Sequence, residues 1–179
     1  MGASIHTPAK LGIRRTPLQS AAEHGTLDIV NYLLEQGADP NEPPALRGGG
    51  TALQLAAGQG FIGIVSMLIL RGADINAPAG MLLGHTAFEA AAKYGRIEML
   101  MFLIESGADI VSDGGKQRRR AVLFAKENGF SGIVSLVEIL YAEACKIAGN
   151  AILSSFDEAG ELLSGALNFG VELGEDFQS

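Results

Sequence analysis

Thr16-Pro17-Leu18-Gln19, Thr51-Ala52-Leu53-Gln54 and Thr86-Ala87-Phe88-Glu89 stand 35 residues apart in this chain. A Gly-Ala-Asp follows 21 residues after each Thr, at Gly37-Ala38-Asp39, Gly72-Ala73-Asp74 and Gly107-Ala108-Asp109. A weakened fourth copy reads Arg120-Ala121-Val122-Leu123-Phe124-Ala125-Lys126-Glu127-Asn128-Gly129. A fixed period of this length is the signature of stacked units, none of which buries its apolar face alone. Function in such an array lies on a surface lined by successive copies.

Within a copy the residues predict two short helices. Thr16, Thr51 and Thr86 suit a helix N-cap, where the hydroxyl accepts from an orphan backbone N–H. Pro17 then suits the first helical position, which has no use for a donor. The pairs Ala21-Ala22, Ala56-Ala57 and Ala91-Ala92 allow close approach between copies, and Gly25, Gly60 and Gly95 supply a left-handed stop. A second helix follows, with Leu27, Val30, Leu33 and Leu34 at helical spacing in the first copy. Ile62, Val65, Leu68 and Ile69 repeat that stripe, as do Ile97, Leu100, Leu103 and Ile104. Gly37, Gly72 and Gly107 end these helices, and polar, Gly- and Pro-rich fingers lead onward.

This grammar resembles the ankyrin repeat, closely over 16–111 and loosely over 120–140. The resemblance implies an all-α fold, a solenoid of helix-turn-helix units with extended finger connectors. The period exceeds the family's usual 33 by two, and the extra residues fall in the fingers; this long-finger form resembles repeats of fungal proteins. Gln19, Gln54 and Glu89 stand where the family has histidine, and Glu89 is expected to make that histidine's hydrogen bond to the neighbouring finger. The organisation expected is a lead-in over 1–15, a stack over 16–144 and a helical extension with an acidic tail over 145–179. The repeats fall near 16–50, 51–85, 86–119 and 120–144, the last a C-terminal cap. Its second helix is expected to run from Ser131 to about Ala148 and stop at Gly149, with one or two further helices docked on the cap. Pairing of that segment with another subunit, as a homodimer, is the alternative.

Charge narrows the partners. Residues 1–147 hold all 13 basic residues against 14 acids, and 148–179 hold six acids and no base, for a net charge of −7. Nucleic-acid binding needs a basic stripe, which is lacking, so a nucleic-acid partner is not expected. No stretch reaches the roughly 18 apolar residues of a membrane span, and no signal peptide or myristoylation pattern opens the chain. A cytoplasmic or nuclear protein with no membrane partner is expected. Cys145 is the only cysteine and reads as a small buried hydrophobe.

Chemistry is sparse. Three histidines, His6, His24 and His85, lack the short spacing of a metal site. Neither a Gly-x-Ser-x-Gly elbow nor a phosphate loop is present, so no cofactor or metal is expected. Candidate binding residues lie where the copies disagree. By resemblance, the positions just before and at the end of each first helix line a concave face: Arg15, Gly50, His85 and Arg119, then Glu23-His24, Gly58-Gln59, Lys93-Tyr94 and Glu127-Asn128. Of these, His24, Gln59, His85, Lys93, Tyr94 and Asn128 are binding candidates, together with Glu89. The second finger adds Met81-Leu82-Leu83, three apolar residues where polar ones are expected. They either contact a partner or fold back on the stack. The third finger carries Lys116-Gln117-Arg118-Arg119-Arg120, where Arg118 and Arg119 are candidates for an acidic partner.

The leading reading is a non-enzymatic module that binds a protein partner on the concave face of the stack. The second is a small enzyme or small-molecule binder that uses the stack as scaffold. Its pocket would lie near His85 and Tyr94, closed by the C-terminal segment or a second subunit. A third reading makes the chain a piece of a larger protein whose other domains carry the activity.

Overall fold

The computed structural model describes residues 15–44 and 49–168, with side chains described through residue 149. The lead-in before Arg15, the tip of the first finger and the acidic tail beyond Asn168 lie outside the described residues. Among the described residues there are eight helices and no strand. These are α1 (Pro17–Glu23), α2 (Leu27–Glu35), α3 (Ala52–Gln59), α4 (Ile62–Leu70), α5 (Ala87–Lys93), α6 (Ile97–Glu105), α7 (Lys116–Glu127) and α8 (Ser131–Asn168). The chain divides into two compact units, Met1–Tyr141 and Ala142–Ser179. The first holds the repeats, and the second holds the rest of α8.

The first helices begin where the threonines predict. Thr16, Thr51 and Thr86 each accept from the backbone N–H three residues on, at 3.2, 3.3 and 3.2 Å. Gln19, Gln54 and Glu89 return the bond to the threonine N–H, at 3.1, 3.0 and 3.1 Å. Each of the first three copies therefore opens with a reciprocal capping box, which satisfies two orphan donors at once. In the first two copies the glutamine amide has a second task. Gln19 Nε2 donates to the carbonyls of Glu42 and Pro43, and Gln54 Nε2 to those of Ala77 and Pro78. The finger is thus tied to the helix that precedes it.

Glu89 departs from the expectation. A carboxylate has no proton to donate to a finger carbonyl. Its Oε1 instead pairs with Arg120 Nε of the next copy at 2.9 Å. The third finger is held by Gln117, whose Nε2 donates to the Asp109 carbonyl at 2.8 Å.

Small residues let the copies close up. α1 packs on α3, α3 on α5 and α5 on α7, while α2 packs on α4 in the second layer. Ala22, Ala56, Ala57, Ala91 and Ala92 are sealed from solvent in this row, and Val30, Val65, Leu68, Leu100 and Leu103 are sealed beneath it. Gly25 shows why its position is glycine. Its φ is +76°, and a Cβ there would lie 2.6 Å from the Phe61 ring of the next copy. An asparagine ladder joins the fingers: Asn41 donates to the Gly72 carbonyl and accepts from Asp74 N–H, and Asn76 does the same with Gly107 and Asp109.

Three expectations about the C-terminal part of the chain change. The basic run is not finger. Asp113 accepts from Lys116 N–H at 2.9 Å and Gln117 N–H at 2.7 Å, so α7 starts four residues before Arg120 and the run forms its first turns. Arg120 accordingly sits inside a helix. The break expected at Gly149 does not occur, and one helix continues from Ser131 to Asn168. A single interior glycine costs a helix only about 1 kcal/mol. Cys145 is half-buried rather than enclosed.

Candidate functional site

A groove of about 240 Å³ opens along one side of α3. Its floor is Gly50, Gly58 and Gln59, with Leu55 and Ala90 beside them. Arg15 and Glu23 of the first copy form one wall, and His85, Lys93 and Tyr94 of the third form the other, with Leu83 at the rim.

The groove comes from one pair of positions occupied three ways. Each pair joins the residue just before the Thr cap to the residue eight further on, at the end of the first helix. In the first copy this is an ion pair, Arg15 to Glu23 at 2.7 Å. In the second it is Gly50 and Gly58, which leave the space empty. In the third it is His85 and Lys93, with 2.9 Å between His85 Nε2 and Lys93 Nζ. The missing side chains of the middle copy make the cavity, and its neighbours furnish the walls. Gly58 also lets Tyr94 lie down, since a Cβ there would stand 3.2 Å from Tyr94 Cδ2.

Electrostatics distinguish the walls. Arg15 and Glu23 compensate each other. Lys93 has a neutral partner: burial first, then the nearby Lys93 and Arg120 charges, push the His85 pKa down to about 4. At neutral pH the imidazole therefore accepts at Nε2 from the ammonium and carries its own proton on Nδ1. That Nδ1 is buried without a hydrogen-bond partner. The His85 ring meets Phe124 edge-on, with centroids 4.6 Å apart. Lys93 Nζ lies 5.4 Å from the Tyr94 ring centroid and 5.8 Å from that of Phe124.

Of the sequence candidates, Gln59, Leu83, His85, Lys93 and Tyr94 come together here. Met81, Leu82 and Leu83 face solvent instead of folding back, with Met81 and Leu83 each 85% exposed. Leu83 holds that position in the left-handed region, at φ 62°. Glu89 lies inside the stack, 2% exposed, and does not line the groove. Burial, the largest influence, pulls its carboxyl above the usual glutamate value, partly opposed by the Thr86 N–H and Arg120.

The remaining candidates stand apart from the groove. His24 is exposed, with Nδ1 2.8 Å from the Ser20 carbonyl, and Asn128 closes α7 by donating to Phe124 O. Arg118 pairs with Glu138 at 2.7 Å and lies over the Tyr141 ring, and Arg119 donates to the Gly114 carbonyl. Sequence reasoning passed over Leu55, Ala90 and Phe124, which share the fifth position of successive copies. Their differing size was the available signal. Among the described residues no three His, Cys, Asp or Glu lie close enough to hold a metal ion, and no helix is long and apolar enough to cross a membrane.

The recurring cap, glycine stop and finger of each copy agree with the comparison to known families. Residues 3–79 and 42–114 match the family model described as ankyrin repeats in three copies, so the match spans 3–114, more than half of the chain. No curated protein matches the chain. Repeat grammar, helix pairs and family match agree: the chain belongs to the ankyrin-repeat family.

Proposed function

We propose that the chain is a non-enzymatic interaction module. It holds a segment of a protein partner across its first helices and second finger, on the concave face expected of such a stack. Ankyrin repeats are generally protein-interaction modules, which supports the class of function. The observation that carries the reading for this chain is the groove over Gly50 and Gly58, with the exposed Leu83 and Tyr94 at its edge. At about 240 Å³ it is smaller than the roughly 300–1,000 Å³ typical of small-molecule pockets. A peptide side chain fits that scale, and a rigid stack loses little entropy on binding it.

The second reading, a small-molecule binder or enzyme centred on His85 and Tyr94, draws support from the same groove. Against it, the one basic lone pair of the neutral His85 ring, at Nε2, already accepts from Lys93, and the protonated Nδ1 is buried, so the imidazole is not placed to act as a base. The proposed surface leaves out the basic run, because Arg118 and Arg119 have partners within the chain.

The test compares capture of partners from native extract by the wild-type chain and by Leu83→Ala/His85→Ala/Tyr94→Ala. The triple variant should lose a protein that the wild type retains. Equal capture of the same set would overturn the site. A co-purifying small molecule lost from the triple variant would move the assignment to the second reading.

A further inference from the structure

We infer that the partner segment is acidic: one of its carboxylates binds Lys93, and a neighbouring apolar side chain lies against Leu83 and Tyr94. This rests on the protein-binding reading above and names the chemistry of that partner. The pair of positions that forms the groove differs in charge between copies. In the first copy those positions hold a cation and an anion 2.7 Å apart, so the pair presents no net charge. In the third copy they hold Lys93 and a neutral imidazole, and no carboxylate lies within ion-pair distance of Lys93 among the described residues. Among the described residues the groove therefore has one positive charge without an ion-pair partner, on a half-buried side chain.

That charge is also positioned. His85 Nε2 fixes the ammonium at 2.9 Å, and the Tyr94 and Phe124 rings flank it at 5.4 and 5.8 Å. A lysine held this way gives up less rotamer freedom when an anion arrives than a free surface lysine does. Lining the same groove, Leu83 keeps an apolar side chain 85% exposed from a left-handed backbone, which a Leu adopts only at a cost. Cation and apolar rim together fit Asp or Glu beside a bulky apolar residue. A basic or purely polar segment leaves one of the two features unmet. Charge complementarity at Lys93 thus selects the occupant.

The probe is a random dodecapeptide display library selected on the whole chain, with binders measured by fluorescence anisotropy. Peptides that lose binding to Leu83→Ala/His85→Ala/Tyr94→Ala should be enriched in Asp or Glu next to an apolar residue. Changing that acid to its amide should weaken binding about tenfold, as for a charge-assisted hydrogen bond. Lys93→Gln should weaken the acidic peptide to the same degree and make the amide change nearly silent, while Lys93→Arg retains affinity. Raising salt should reduce the difference.

Triple-variant-sensitive peptides without an acid, or unaffected by Lys93→Gln, would overturn the acidic assignment and leave the protein-binding surface standing. Peptides indifferent to the triple variant, or no binders at all, would overturn both. Self-association of the chain with the same residue dependence, read by sedimentation, would assign the groove to a second copy and overturn the proposal.

Discussion

Arg120→Met tests whether Glu89 is held as a buried anion by the copy that follows it. The Glu89 side chain is 3% exposed and that of Arg120 36%, with 2.9 Å between Oε1 and Nε. Arg120 also donates to the Gly84 carbonyl at 3.0 Å and lies over the Phe124 ring. Methionine keeps the length of the stem and removes the charge and the donors. Breaking a fully buried pair costs about 3–5 kcal/mol. The guanidinium is partly solvated, so about 2–3 kcal/mol is expected here. For a chain of this size that lowers Tm by roughly 4–12 °C. In Glu89→Gln/Arg120→Met the amide still accepts from Thr86 N–H, and no charge remains to be desolvated. The double variant should recover at least about 1 kcal/mol over the Arg120→Met single.

The pH dependence supplies a second readout. A glutamate whose folded pKa is raised binds a proton in the native state that the unfolded chain has already released. Its charge therefore destabilises the fold above the raised pKa, and stability returns as pH falls toward the ordinary glutamate value. Arg120 opposes the rise, so its removal should raise Glu89 further and the Arg120→Met penalty should shrink as pH falls toward the ordinary glutamate value. The double variant has the same surroundings for His85, and the difference in slope between the two isolates Glu89. Urea denaturation followed by circular dichroism measures all of these. A single variant within about 0.5 kcal/mol of wild type, or strictly additive changes, would refute the buried-anion account.

Two further perturbations bear on the groove. The His85 pKa is depressed from the usual 6.5 or so to about 4, so its stabilising contribution is complete above about pH 6.5 and is lost as pH falls toward 4. At 1.36 kcal/mol per pKa unit the loss is at most about 3.4 kcal/mol, and partial exposure reduces it to about 1–2. His85→Gln should flatten that part of the urea-stability profile, and an unchanged slope would contradict the assignment. Leu83→Gly removes a side chain that is 85% exposed from a φ of 62°. Relief of left-handed strain, less the entropy glycine adds to the unfolded chain, should raise stability by about 0.5 kcal/mol. Loss of stability in chemical denaturation would show instead that Leu83 packs on the stack.

What could be read from the sequence was local. A Thr three residues before Gln or Glu, and a Gly at a helix end, act within one turn, so their roles follow from residue type alone. Alignment to the repeat erred where a local signal broke step with the period. Asp113 accepts from the first two N–H groups of α7, starts that helix ahead of schedule and turns an expected finger into helix. Glu89 illustrates the converse: its position in the period matches Gln19 and Gln54, but a carboxylate cannot donate, so the same place in the fold holds an ion pair instead. The groove was visible only in part because its unit is a pair of positions. Taken singly, Gly50 and Gly58 suggest flexibility or nothing at all. Taken together, between Arg15 with Glu23 and His85 with Lys93, they are an absence bounded by an ion pair on one side and a lysine hydrogen-bonded to an imidazole on the other. The first three copies keep their caps and stops, while this pair varies among them. The paired differences between neighbouring copies are therefore where a repeat chain of this kind can encode what it binds.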